Sequence, residues 1–221
     1  MPRVKLHRFT DNATRPDIIE PGKAGYKELG GRWRTDFFED PHPLTLEVGC
    51  GKGEYTVGLA QRNPGRNFLG LDIKGERIWR GSTAAAALGL RNVGFVRMRA
   101  EDLRDQFGPG ELQEIWITFP DPRPRDRDIK RRLTSPRFLA LYEQLLTVGG
   151  LLHLKTDNAG FFEYTLEKLA IRPGATVERF TRDLYAETAA EFAEAQAIQT
   201  NFEGKYRALG VSIKYAQFRL T

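Results

Sequence analysis

The apolar positions follow two periods that alternate along the chain. Leu44–Val48 is a short apolar run closed by Gly49 and predicts a strand. Glu54–Gln61 predicts a helix, stopped by Asn63-Pro64-Gly65. Asn67–Leu71, ending at Asp72, predicts a second strand, and alanine-rich Gly75–Leu88 a second helix with Gly89 just beyond it. Val93–Met98 and Glu114–Phe119 predict strands three and four. Ser135–Thr147 predicts a helix with Pro136 in its first turn, because Phe138, Leu139, Leu141, Tyr142, Leu145 and Leu146 fall at helical spacing. Leu151–Lys155 predicts a fifth strand, Phe161–Leu169 a helix, and Thr176–Thr181 and Val211–Leu220 two more strands.

Strands alternating with helices imply an α/β fold, with a central, mostly parallel seven-stranded sheet flanked by helices. Right-handed crossovers then place a ligand beyond the C-terminal ends of the strands. Glu47, Gly49, Asp72, Arg99, Asp121, Thr156 and Asp157 all fall at those ends. Residues 1–43 are polar and rich in Gly and Pro, and read as an irregular N-terminal extension to a domain spanning 44–221. Segment 183–197 carries Asp183, Glu187, Glu191 and Glu194 without Lys or Arg, and reads as a solvated helix or flap near the substrate opening.

Composition narrows the class. A chain of 221 residues, 40 % hydrophobic and 29 % charged, can bury one core and stay soluble. No apolar run approaches the roughly 18 residues of a membrane span, and the opening MPRVKLHR has no signal-peptide h-region. One cysteine, Cys50, excludes an intrachain disulfide framework and a Cys-rich zinc site, and suits a reducing, cytoplasmic setting. His7, His42 and His153 form no H-x-x-x-H pair, so no metal is expected. Trp33, Trp79, Trp116 and His153 read as packing residues. The net charge of +5 is concentrated in RPRDRDIKRR at 123–132, where six basic residues face two acidic ones. Such a run is either a solvated loop or a contact to a phosphate backbone.

The stretch Glu47-Val48-Gly49-Cys50-Gly51-Lys52-Gly53 lies between a strand and a helix, the context of a nucleotide loop. Its spacing is G-x-G-x-G, not the G-x-G-x-x-G of a dinucleotide site, and Glu54 would repel a pyrophosphate. Asp72 stands 23 residues after Gly49, where a carboxylate can accept from both hydroxyls of a ribose, or simply cap the next helix. Glu47 and Asp72 together suit a cationic, phosphate-free ligand, and S-adenosylmethionine (SAM) fits better than NAD. After EIWITF, prolines on both sides of Asp121 stiffen the chain and hold that carboxylate at the strand end.

With these residues in view the sequence resembles the tRNA (guanine-N7)-methyltransferases of the class I SAM-dependent type. The matching stretches are LEVGCGKGEYT at 46–56, FLGLDIK at 68–74, ITFPDPRPRDRDIKRRL at 117–133, HLKTDN at 153–158 and TNFEGKYRALG at 200–210. The resemblance implies a Rossmann-like methyltransferase domain acting on a variable-loop guanine of tRNA. It implies SAM contacts from Glu47, Gly49, Gly51, Asp72 and Asp121, with Ala100 as a backbone contact. It implies that Arg125, Asp157, Thr200 and Glu203 meet the RNA substrate, and that Arg127, Lys130, Arg131 and Arg132 lie along its backbone. Two positions depart from the family pattern: Arg123 stands where Trp is usual, and Arg99, before Ala100, where Asp or Asn is common.

Guanine N7 offers a lone pair and has no proton to lose, so transfer needs alignment and no general base. Asp121 is the candidate carboxylate beside the methyl group, with Asp157 and Glu203 candidates for holding guanine N1–H and N2–H₂. Without the resemblance Asp157 reads as a turn residue and Glu203 as a surface helix residue. The alternatives are an NAD-dependent dehydrogenase, a non-catalytic tRNA-binding subunit and a small-molecule methyltransferase.

Overall fold

The computed structural model describes residues 8 and 10–220, so His7 lies outside the described residues. The strands are β1 (Ile18–Ile19), β2 (Leu44–Val48), β3 (Asn67–Asp72), β4 (Val93–Arg97), β5 (Leu112–Thr118), β6 (Leu146–Thr156), β7 (Ala175–Thr181) and β8 (Lys214–Leu220). They form one eight-stranded sheet in the order β1-β4-β3-β2-β5-β6-β8-β7. The pairs from β1 through β6 are parallel, and β8 runs antiparallel to both β6 and β7. Besides a helical stretch over residues 10–14, the helices among the described residues are α1 (Glu54–Arg62), α2 (Gly75–Ala87), α3 (Pro136–Leu145), α4 (Ala159–Ala170), α5 (Ala193–Ala197) and α6 (Asn201–Ala208).

The expected α/β sheet is present with one strand more than the pattern gave. Ile18–Ile19 pairs with Phe95 and Val96 at the edge, and two residues are too few to show a period. The segment around it is anchored by Trp33, which is fully buried. The Trp33 indole N–H donates to the Gln106 carbonyl at 2.8 Å, and its backbone N–H donates to Glu111 at 3.1 Å. A second difference lies at residue 146. The apolar spacing carries helical character through Leu146, yet α3 ends at Leu145 and β6 begins at once, because Leu146 pairs with Leu112 ahead of a register shift.

Parallel strands covered on both faces must be apolar throughout, and every residue of β2 and β3 is buried. One face packs against α3, α4 and Trp33. The other packs against α1, α2 and the Leu184–Ile198 segment. That segment is not the solvated helix or flap expected, since Leu184, Phe192, Ala195 and Ile198 are all buried. The chain leaves β2 for β3 on one side and reaches β5 on the other. This reversal opens a crevice beyond the strand ends, where such folds place ligands.

Candidate active site

The glycine loop turns from β2 into α1 with Gly49, Gly51 and Gly53 at φ +82°, +57° and +73°. Left-handed backbone explains why all three are glycine, but their surroundings differ. A Cβ on Gly51 would meet nothing within 4 Å, so that backbone faces open space. A Cβ on Gly53 would come within 2.8 Å of Gly81 Cα and of the Phe95 ring. Gly53 therefore lets α1 and α2 pack closely, while Gly49 and Gly51 floor the crevice.

Two cavities meet over Gly49. The larger, about 530 Å³, is bordered by Asp72, Arg77, Ala100, Glu101, Asp121 and Arg123, among others. The smaller, about 350 Å³, is bordered by Glu47, Gly51, Lys52, Thr118, Thr200 and Phe202, among others. Phe119 borders both. Asp72 is buried; one oxygen accepts from the Lys74 N–H at 2.8 Å and the other from the Gly51 N–H at 3.1 Å. It thus turns the chain into α2 and braces the glycine loop. Ala100 opens a short 3-10 turn, Ala100–Asp105, at the edge of the larger cavity. Arg99 is exposed and pairs with Glu101 at 3.7 Å. Glu101, two residues after Arg99, supplies an acidic side chain at this strand end.

Glu47 is buried, and among the described residues no cation pairs with it. Thr118 donates to it at 2.5 Å, and Thr56 donates to its other oxygen. Burial pushes this carboxyl above the ordinary range, against the pull of the two hydroxyls. A carboxylate so placed favours a cation in the cavity above it. Asp121, by contrast, is exposed: Arg123 donates its backbone N–H at 3.1 Å and its guanidinium Nε lies at 3.2 Å. The residue in the usual tryptophan position is therefore bound to the candidate catalytic carboxylate. Phe119 and Arg123, on either side, both hold φ +47°, so the loop presents Asp121 on a bent backbone.

The family described as "Putative methyltransferase" matches residues 41–216. A tRNA (guanine-N(7)-)-methyltransferase from Cytophaga hutchinsonii is 43 % identical, covering 99 % of this chain and 98 % of the relative. The chain belongs to the tRNA (guanine-N7)-methyltransferase family. The fold is shared more widely. The 16S rRNA methyltransferase KamB superposes with a TM-score of 0.60 at 16 % identity, covering 81 % of this chain and 88 % of that one. A 16S rRNA adenine-N1 methyltransferase from Catenulisporales acidiphilia, in a variant solved with its cosubstrate SAM, gives 0.52 at 14 %, covering 81 % and 86 %.

The residues that the family motifs mark for RNA are divided by the structure. Thr200 borders the smaller cavity and caps α6, accepting from the Glu203 N–H at 3.1 Å. Glu203 is not the surface residue its polar helix suggested. It is fully buried, 2.8 Å from the Lys155 ammonium, and it accepts from the Tyr185 hydroxyl at 2.7 Å and the Thr200 N–H at 3.3 Å. Lys155, also fully buried, donates to the carbonyls of Ala195 at 2.7 Å and Ile198 at 2.9 Å. Burial pulls its pKa down to about 8 despite the pairing. Glu203, Asp157 and Arg125 border neither cavity. Asp157 is half-buried, and the cap on α4 comes from its neighbour Asn158, which accepts from the Phe161 N–H at 2.8 Å.

The basic loop also divides. Arg127, Lys130 and Arg131 are exposed, with Arg131 3.3 Å from Asp128. Arg132 turns inward: it donates to the Arg123 carbonyl at 3.2 and 3.3 Å and lies 4.3 Å from the centre of the Tyr164 ring. Trp33, Trp116 and His153 are buried packing residues, with His153 stacked 3.9 Å from Trp116. Among the described residues no cluster of three or more His, Cys, Asp or Glu could hold a metal ion, and no helix is long and apolar enough to cross a membrane.

Proposed function

We infer that this chain transfers a methyl group from SAM to N7 of a guanine in tRNA, the variable-loop guanine that the family motifs imply. The observation that carries this is the union of a family match over nearly the whole chain with a crevice floored by bare glycine and rimmed by carboxylates. The donor set fits SAM. Asp72 would take the ribose hydroxyls, the Ala100 backbone would meet the adenine, and Glu47, Gly49 and Gly51 would lie beneath the cationic centre. Lys52, bordering the smaller cavity, suits a carboxylate there. When bound, SAM supplies an electrophilic methyl group on a sulfonium.

The chain's own residues do the rest by placement. N7 has no proton to remove, so orientation of the two partners supplies much of the acceleration. Guanine becomes cationic on methylation, so a fixed carboxylate such as Asp121 lowers the energy of the developing charge. Asp157 and Arg125 are proposed to hold the target nucleotide, with Thr200 at the cavity wall. Glu203 is proposed to act one step back, by fixing Thr200 through the capping box and Lys155. Arg127, Lys130 and Arg131 offer charge to the RNA backbone. A free, buried Cys50 is compatible with work in a reducing cytoplasm. The test is incubation with labelled SAM and unmodified tRNA, followed by nucleoside analysis. Label in 7-methylguanosine is expected, and its absence would overturn the reading.

A further inference from the structure

Four of the six residues from 198 to 203, Ile198, Thr200, Asn201 and Glu203, are tied down. The Ile198 carbonyl holds Lys155, Thr200 and Glu203 close the capping box on α6, and Glu203 pairs with Lys155. Asn201 is clasped from across the crevice. Its backbone N–H and its side-chain amide both donate to Glu54 of α1, at 2.6 and 2.8 Å. Between these anchors Phe202, 44 % exposed as a residue, stands at the wall of the smaller cavity. Exposed apolar rings are common where the chain is loose, but here both flanking residues are fixed by ionic or charge-assisted contacts. The Phe202 ring centre lies 5.3 Å from that of Phe119 and 4.5 Å from that of Tyr206. Phe119 is itself fixed, with φ +47° and its N–H donated to the Lys155 carbonyl at 2.8 Å. It also borders both cavities, one residue before the Pro120-Asp121 corner.

We propose that Phe202, backed by Phe119, is the stacking platform for the target guanine once that base leaves the RNA stack. The inference rests on the guanine-N7 transfer proposed above and adds the residues that take the face of the base. A base in folded RNA must be unstacked before an enzyme can reach it, and aromatic side chains replace the lost stacking. The direction of the chemistry strengthens the argument. Methylation at N7 leaves the base cationic, and a cation is held more tightly over an aromatic face than a neutral ring is. A platform of this kind binds the charge-developing state better than the starting state, which is what raises a rate. No carboxylate or amide achieves this for the face of a purine; only another π surface does.

The experiment compares Phe202→Tyr, Phe202→Leu and Phe202→Ala in the full chain. It measures single-turnover methylation of tRNA at saturating SAM, with SAM affinity taken separately by calorimetry. Replacing a base-stacking aromatic typically weakens the contact roughly 5- to 100-fold. A rate loss of that size is expected for both Phe202→Leu and Phe202→Ala, with SAM affinity within about threefold of wild type, since the ring is assigned to the base. Phe202→Tyr should keep a rate near that of the wild type. A Leu variant as active as the Tyr variant would overturn the proposal, because bulk alone would then suffice. A fall in SAM affinity equal to the fall in rate would also overturn it, by assigning the ring to the cofactor. If the wild type itself formed no 7-methylguanosine, the failure would belong to the underlying reading; an active wild type with an indifferent Phe202→Leu would reject only the platform.

Discussion

Lys155→Met should be among the most destabilising single changes in this protein. Lys155 and Glu203 are both fully buried and 2.8 Å apart, so removing the ammonium strands a carboxylate in the interior. Breaking a buried ion pair from one side costs about 3–5 kcal/mol. The carbonyls of Ala195 and Ile198 lose their donor in the same step, which places the expected cost near the upper end of that range, about 4–5 kcal/mol. A domain with about 5–15 kcal/mol of total stability would be left marginal.

The double variant Lys155→Met with Glu203→Leu separates a stranded charge from a merely misfitting side chain. Burial holds the Lys155 pKa at about 8, below its ordinary 10.5, so pairing does not fully repay the desolvation of this ammonium. Removing both charges should therefore recover about 2–3 kcal/mol relative to the sum of the two single changes. Urea unfolding of the wild type, both single variants and the double variant at pH 7 gives the cycle. A Lys155→Met cost below about 1 kcal/mol, or additivity within about 0.5 kcal/mol, would refute the reasoning and mean that water reaches the pair.

Asp72→Ala should weaken SAM binding by about 1–3 kcal/mol, since charge-assisted hydrogen bonds to the ribose are lost; unchanged affinity by calorimetry in a folded variant would remove Asp72 from the cofactor site. Replacing Arg127, Lys130 and Arg131 with Ala should reduce the slope of log tRNA affinity against log salt by roughly 2–3. Arg132→Ala should instead lower stability and leave the slope nearly unchanged, because its guanidinium is bound to Arg123 and Tyr164; equal slope changes for exposed and inward-turned residues would reject that division. Glu47→Gln should weaken SAM binding but stabilise the ligand-free protein at neutral pH. Burial raises the Glu47 pKa above 4.5, so across the window just above 4.5 the folded state binds more protons than the unfolded one, and wild-type stability falls as pH rises through it. The gain from Glu47→Gln should therefore be present at pH 7 and vanish as pH drops toward 4.5, and a gain that does not depend on pH would exclude burial of the charge as its cause.

Periodicity and motif spacing made the sheet, the glycine loop and the strand-end carboxylates legible, because each is a local pattern. What they could not distinguish is a glycine facing a ligand from one facing a helix. Gly51 and Gly53 differ only in what lies above them, and the neighbour of Gly53 is Gly81, 28 residues on. The reading of Glu203 from its helix alone, as a surface residue, fails for a related reason. Its helix, NFEGKYRA, is polar and reads as surface, while its partner Lys155 lies on a different element. One signal was available. A lysine in the otherwise apolar run Leu151–Lys155 cannot be buried unless an acid meets it, so HLKTDN was asking for a carboxylate from elsewhere. Phe202 left no such trace, since an aromatic residue in a polar helix is an ordinary sight and only the anchoring of its neighbours sets it apart.

The two halves of the site are built on different supports, and this shapes how each will respond to change. Glu47, Gly49 and Asp72 sit at the ends of central strands whose residues are buried throughout, so their positions are set by the sheet itself. Thr200, Asn201 and Phe202 belong to no strand. They are placed by a buried ion pair to β6, a capping box and a clasp to Glu54. Polar anchors of this kind are directional, so a small change in one shifts the whole segment. A displacement of about 1 Å at a reacting centre can cost on the order of a hundredfold in rate. Changes in the Lys155–Glu203–Tyr185 network that leave the protein folded should therefore spare SAM affinity and reduce turnover. Tyr185→Phe offers the mildest case, removing one hydroxyl that donates to Glu203 at 2.7 Å and leaving the ion pair in place. Its effect should fall on the rate of transfer to tRNA at saturating SAM. A loss confined to SAM binding would mean instead that the segment serves the cofactor.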